Sequence, residues 1–226
     1  MKQLLRDLLN RIGLGETVAQ VGFLRRRGLG YRHIWAYRKI DGWLTENEAI
    51  ALYDLACRLT PTHPVIVEIG SWLGKSSVIL AKGLQGKTNP ILYCIDPFDA
   101  AGDAGYAILV EARGLQLKEQ FIENVKRNNV YDHIRILHGY SYDFAAGFSD
   151  EIDFLFIDGN HAYDSVMRDY TDWTPHLKTG GIIALHDVGD NFPGPTSVVK
   201  EKVVDNPAWS EVRRVDSLVM ASKASL

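Results

Sequence analysis

The sequence has little of what marks a secreted, membrane-spanning or repetitive chain. Among its 226 residues there are two cysteines, Cys57 and Cys94. Both stand in apolar stretches without metal-ligand spacing, so they read as reduced core thiols, and the chain reads as cytoplasmic. No apolar run approaches the roughly 20 residues of a membrane span. Arg6, Asp7, Asn10 and Arg11 interrupt the first segment and deny it the apolar centre of a signal peptide. There is no internal repeat and no low-complexity tract. Charge of one sign is also lacking, because the formal net charge is only −3 and gives no chain-wide field for nucleic acid. With 46% hydrophobic and 23% charged residues, the composition is that of one soluble globular domain.

What is present is an alternation of short apolar runs and helical patterns. Val65, Ile66, Val67 and Ile69 are mostly β-branched, preceded by Pro61 and Pro64 and closed by Gly70. That reads as a strand covered on both faces, followed by a turn into a helix. Further strands are expected over Ile91–Ile95, Ile134–Leu137, Ile152–Ile157 and Ile182–Leu185. Between them, Val78–Leu84 is a crossover helix. Leu117, Phe121, Ile122 and Val125 mark a second, and Val166, Tyr170 and Trp173 a third. The alternation predicts an α/β, doubly wound, Rossmann-like fold with a mostly parallel sheet. Ser197–Val204 reads as a helix. Trp209–Val215 and Leu218–Ser222 read as a hairpin across Asp216-Ser217.

The N-terminal part differs in charge. Residues 1–40 carry nine Lys or Arg against Asp7 and Glu16, a balance of +7 that leaves −10 for the rest. Leu4, Leu5, Leu8, Leu9 and Ile12 fall at helical spacing, until Gly28 and Gly30 break the pattern. A basic helical extension over 1–42 and a main domain over 43–226 are expected. The extension could serve as a membrane-surface anchor, a dimer contact or a lid over the substrate, or simply as a packed helix with a solvated charged face. At Thr45-Glu46-Asn47-Glu48 the Thr-x-x-Glu pattern marks a capped helix start, and Leu52, Leu55, Ala56 and Leu59 give that helix its buried stripe.

Each strand of the main domain ends in polar residues, which this topology lines along one rim. Gly70-Ser-Trp-Leu-Gly74-Lys75-Ser76 has one residue too few between its glycines for a phosphate loop. Trp72 stands where a dinucleotide fingerprint needs its second glycine. A nucleoside ligand without phosphates remains. Asp96, 26 positions after Gly70, could hold its ribose.

The segments VEIGSWLGKSS, CIDPF, GYS, FLFIDGNHAYDSVMRDYTDW and LKTGGIIALHD together resemble the class I S-adenosylmethionine-dependent methyltransferases. The nearest likeness is to the small O-methyltransferase branch with a D-G-x-H element, the macrocin and sugar O-methyltransferase-like group. The resemblance covers roughly residues 43 to 188. It implies that Glu68, Gly70, Ser71, Trp72, Gly74 and Ser76 form the loop at the methionine end. It implies that Asp96, Pro97 and Phe98 surround the ribose, and that Gly139, Tyr140 and Ser141 lie near the adenine. It places a C-terminal antiparallel strand beside the parallel ones. Asp158 then borders both cofactor and acceptor, and His161 is the expected base, with Asp158 as its catalytic partner. Some relatives bind a divalent cation such as Mg²⁺, which makes Asp158, His186 and Asp187 the candidate ligands; an imidazole at 186 would suit a softer ion. The implied reaction is methylation of a hydroxyl on a small molecule or sugar, with no nucleic-acid partner and homo-oligomerisation left open. A nicotinamide-dependent oxidoreductase on a similar sheet and a non-catalytic cofactor-binding module are the alternatives, since one fold hosts many functions.

Overall fold

The computed structural model describes residues 14–60, 62–100, 107–108, 110–111, 114 and 116–225. The Leu/Ile stripe between Leu4 and Ile12, and most of the glycine-rich stretch after Ala100, lie outside those residues.

The chain opens with helix α1 (Gly15–Arg27), which ends at Gly28, and continues as a 3₁₀ segment over Leu29–Lys39. Helix α2 (Glu46–Arg58) starts at Thr45 with both halves of the capping box made. Then follow β1 (Val65–Ile69), α3 (Lys75–Leu84), β2 (Ile91–Asp96), α4 (Leu117–Arg127) and β3 (Ile134–His138). A short α5 (Ser141–Ala145), β4 (Ile152–Ile157), α6 (Tyr163–Trp173) and β5 (Leu177–Leu185) complete the parallel part. Helix α7 (Pro193–Lys202) precedes the hairpin of β6 (Trp209–Val215) and β7 (Leu218–Lys223).

The seven strands lie in the order β3-β2-β1-β4-β5-β7-β6. The first five are parallel, and β7 and β6 run antiparallel to their neighbours. Every residue of β1 and β4 is buried, as expected where helices cover both faces. Reversal of strand order at β1 and β4 opens a crevice at their C-terminal ends, the usual ligand position of such sheets. One core face gathers Leu52, Leu55, Ile79, Leu80 and Phe121; the other gathers Val166, Trp173, Val198 and Trp209. Tyr37 and Ile40, from before residue 43, are buried in the first of these.

Two local expectations change. Strand β5 starts at Leu177 rather than Ile182, because a register irregularity carries the Gly180-Gly181 pair into the strand. Helix α7 starts at Pro193, where proline's fixed φ and absent N–H suit a first turn. One thiol is also misplaced: Cys94 is core, but Cys57 is exposed near the end of α2.

Candidate functional site

The crevice above β1 and β4 holds a cavity of about 640 Å³. That is within the roughly 300–1,000 Å³ of small-molecule sites. Its walls come from the ends of all five parallel strands, from α6 and from Gly42–Leu44 at the head of α2.

The turn after β1 supplies Gly70, Ser71, Trp72 and Ser76 to the wall. Gly70 has φ 88°, and a Cβ there would sit 2.1 Å from the Asp158 carbonyl oxygen. The close approach that demands glycine is therefore that of the β4 loop. Glu68 does not reach the cavity. It is fully buried beneath the turn, where its Oε2 accepts from the Ser71 hydroxyl at 2.8 Å and from the Ser77 hydroxyl. Burial raises its pKa, only partly offset by these serines. It props the turn from behind. Gly74 is also outside the wall; a Cβ there would meet Phe121 at 3.1 Å.

Asp96 closes β2 and lines the cavity. Its Oδ2 accepts from the backbone N–H groups of Ser71 at 2.9 Å and Trp72 at 2.8 Å, and its Oδ1 from Phe98 N–H at 2.6 Å. Burial raises its pKa, and the three N–H donors oppose this. A carboxylate has about four lone-pair sites, so one acceptor position is left for a ligand hydroxyl. Pro97 lines the wall. Phe98 does not, and instead packs on Phe121 and His138 with ring centroids 5.5 and 5.8 Å away.

At the ends of β4 and β5 the polar residues converge. His161 Nε2 lies 2.9 Å from Asp187 Oδ2. His186 is 3% exposed. Its Nδ1 faces Asp158 Oδ1 at 3.0 Å and Asp187 Oδ2 at 3.3 Å, while its Nε2 faces Glu48 Oε2 at 3.3 Å. Carboxylates accept and cannot donate, so a ring between them donates from both nitrogens and is an imidazolium. Burial pulls its pKa down, but the charge and hydrogen bond of Asp158, then Asp187 and Glu48, push it up to about 12. Burial raises Asp158, with His186 opposing. Asp187 is lowered because the two imidazoles outweigh its burial. For His161, burial lowers the pKa and the Asp187 hydrogen bond and charge raise it further, so the net direction is up.

His186 turns both nitrogens toward carboxylates and so does not face the cavity as a free ligand. Atoms of Asp158, His161 and Asp187 lie within 4.8 Å of one another, a grouping that could hold a metal ion, and the His161 nitrogen nearest Asp187 is paired with it.

On the side of β3, Gly139, Tyr140 and Ser141 all line the cavity. The Tyr140 and Tyr142 rings stack at 5.3 Å, and the Tyr140 hydroxyl donates to Asp99 at 2.9 Å. Ser141 donates its hydroxyl proton to Asp169 of α6.

Several contributors were not read from the sequence. Trp43 sits 5.9 Å from the Trp72 ring, and Phe192 lies 4.5 Å from the His161 ring. Gly194 lets Phe192 come this close, since a Cβ there would sit 2.1 Å from the His161 carbonyl oxygen. Glu48 was legible only as a cap.

A family described as a methyltransferase domain matches residues 67–188. A curated protein, "Uncharacterized protein R132" of Acanthamoeba polyphaga mimivirus, is 29% identical over 130 residues, which is 55% of this chain and 51% of that one. The chain thus matches about half the length of that relative. Among solved structures, cofactor-bound Rv0187 from MTB is 15% identical with a TM-score of 0.63, covering 89% of this chain and 94% of that one. TomG from Streptomyces achromogenes, involved in tomaymycin synthesis and in complex with SAM, is 16% identical with a TM-score of 0.60, covering 86% and 88%. The Bacillus cereus O-methyltransferase in complex with SAH is 17% identical with a TM-score of 0.59, covering 82% and 85%. These structures share the fold, and the family match covers more than half of the chain, from within β1 to just past the end of β5: the chain belongs to the methyltransferase-domain family.

Proposed function

We propose that the protein transfers a methyl group from S-adenosylmethionine to a hydroxyl oxygen of a small molecule or sugar. The observation that carries this reading is the His161–Asp187 pair, 2.9 Å apart in the wall of the cavity. The cavity suits the cofactor. Ser71 and Trp72 border its methionine end, Asp96 offers a ribose hydroxyl one acceptor position, and Tyr140 and Ser141 border its adenine. Bound S-adenosylmethionine supplies a methyl group that its sulfonium already activates, so positioning and proton removal fall to the protein.

An acceptor hydroxyl is a weak nucleophile until it loses its proton. His161 Nε2–H donates to Asp187, and Nδ1 has no partner among the described residues. Nδ1 therefore takes the acceptor's proton as the oxygen gains the methyl group, and S-adenosylhomocysteine leaves. Asp187 fixes the tautomer and stabilises the imidazolium that forms, and Phe192 packs on the ring. His186 supplies fixed positive charge to Asp158 and Asp187 where some relatives use a cation.

The test is calorimetry with S-adenosylmethionine and S-adenosylhomocysteine, then a methyl-transfer assay on a panel of sugars and phenols. Binding of both is expected, with turnover that survives dialysis against EDTA. Absence of binding would reject the cofactor. Loss of turnover on chelation, restored by Mg²⁺, would reject the metal-free mechanism.

A further inference from the structure

Asp169 lies on α6, is 6% exposed and borders the cavity. It accepts the hydroxyl proton of Ser141 through Oδ1. Its Oδ2 faces the Gly159 backbone, 3.7 Å from where a Cβ there would stand. Among the described residues no cation forms an ion pair with it: Arg168, the preceding residue, pairs with Asp172 at 3.5 Å and lies 3.8 Å over the Tyr142 ring. A buried carboxylate bound to one serine and open to a cavity is an unusual feature to keep unless something uses it.

A serine hydroxyl has one proton and two lone pairs. With that proton committed to Asp169, Ser141 Oγ can only accept from a ligand. The Ser141–Asp169 pair therefore offers acceptors and no side-chain donor. An exocyclic amine satisfies such a site, whereas a ring carbonyl would face lone pairs with none of its own satisfied. We propose that Asp169 determines purine specificity, by fixing Ser141 as the acceptor for the 6-amino group of adenine. This rests on the cofactor reading above, which puts the purine beside Ser141. Burial lifts the Asp169 pKa to about 6 against the opposing Ser141 bond, so the carboxylate is ionised and accepting at neutral pH.

The test compares S-adenosylhomocysteine with S-inosylhomocysteine, which carries a carbonyl in place of the amine, by calorimetry at pH 7.5. The parent is expected to prefer the adenosyl compound by about tenfold or more, the size of one lost hydrogen bond of about 1.4 kcal/mol. Asp169→Asn can donate its amide to Ser141 Oγ and so release the serine proton toward a carbonyl; the preference should collapse toward unity. Ser141→Ala, which removes the hydroxyl with little change in volume, should narrow it too, and it serves if the first variant does not fold. An unchanged ratio in a folded variant overturns the assignment while leaving the cofactor reading intact. Failure of the parent to bind either compound overturns both.

Discussion

At the scale of single residues, the proposed base and its partner set a pH dependence whose sign is fixed. His161 can act as a base only when neutral, and Asp187 holds its pKa above the ordinary 6.5. Turnover should therefore rise with pH through an inflection above 6.5. Asp187→Asn removes the charge that lifts the imidazole and leaves its burial, which acts in the opposite direction. The inflection should move down, by one pH unit for each roughly 1.4 kcal/mol of lost interaction. His161→Ala should lower kcat by about 10²- to 10⁴-fold with S-adenosylhomocysteine affinity preserved. A pH–rate profile of the three proteins checks this, and an Asp187→Asn profile identical to the parent's would remove the pairing. The place of His161 in the wall was readable because Asp158-Gly159-Asn160-His161 is contiguous at a strand end. The surroundings of His186 were not, because a sequence shows a residue's position and type but not where its ring turns. Its two nitrogens are engaged by Glu48, Asp158 and Asp187, and the first of these comes from the far side of the chain.

At the scale of elements, that distant contact makes the start of α2 part of the site. Glu48 is 1% exposed and closes the capping box by accepting from Thr45 N–H at 2.9 Å. Its other oxygen accepts from the backbone N–H and hydroxyl of Ser217 at 2.8 and 2.6 Å, in the β6–β7 turn. Thr45 also donates to Asp216 at 2.6 Å. One carboxylate thus ties α2, the C-terminal hairpin and the end of β5 together. Despite its burial, hydrogen bonds from His186 and Ser217 hold its pKa at about 2, below the ordinary 4.5. A depressed acid stabilises the fold fully above its unfolded value and loses that contribution as pH falls through its folded one. Glu48→Gln should therefore reduce stability at neutral pH and flatten the acid limb between about pH 4.5 and 2. Removing one partner of a buried ion pair costs about 3–5 kcal/mol. Urea unfolding across that pH range measures both, and parallel curves for parent and variant would show that Glu48 is not the linked group. The Thr-x-x-Glu spacing made the cap legible. The second role was not, because nothing local to residue 48 encodes partners at 186 and 217.

At the scale of the whole molecule, the strands and the rim of polar residues followed from period and punctuation, with apolar runs ending in Gly70, Asp96, Gly139, Asp158 and His186, whereas the order of the strands across the sheet is set by tertiary packing. The basic N-terminal segment was read from charge and helical spacing without partners, and its structure gives that charge a use. Arg26, Arg27 and Arg38 converge on Glu46 at 3.1, 2.8 and 3.6 Å, and Lys39 pairs with Glu16 at 2.7 Å. Beneath them Phe23, Ile34 and Trp35 are buried as one cluster, packed against Ile50 and Tyr53 of α2. Tyr37 and Ile40 continue into the main core. These contacts favour packing over nucleic-acid binding. Two outcomes follow together. A chain beginning at residue 43 loses the burial of Tyr37 and Ile40, about 1.5–3 kcal/mol for each large apolar side chain, and uncovers Ile50 and Tyr53 as well. It should unfold at a lower urea concentration than the full chain. The full chain, mixed with labelled DNA or RNA, should show no binding that weakens steeply between 50 and 200 mM salt, because Arg26, Arg27, Arg38 and Lys39 are already paired with carboxylates and release few counterions from phosphate. Salt-steep binding by the full chain that vanishes on truncation, with the truncated protein as stable as its parent, would show the segment to be an electrostatic arm instead of a packed part of the fold.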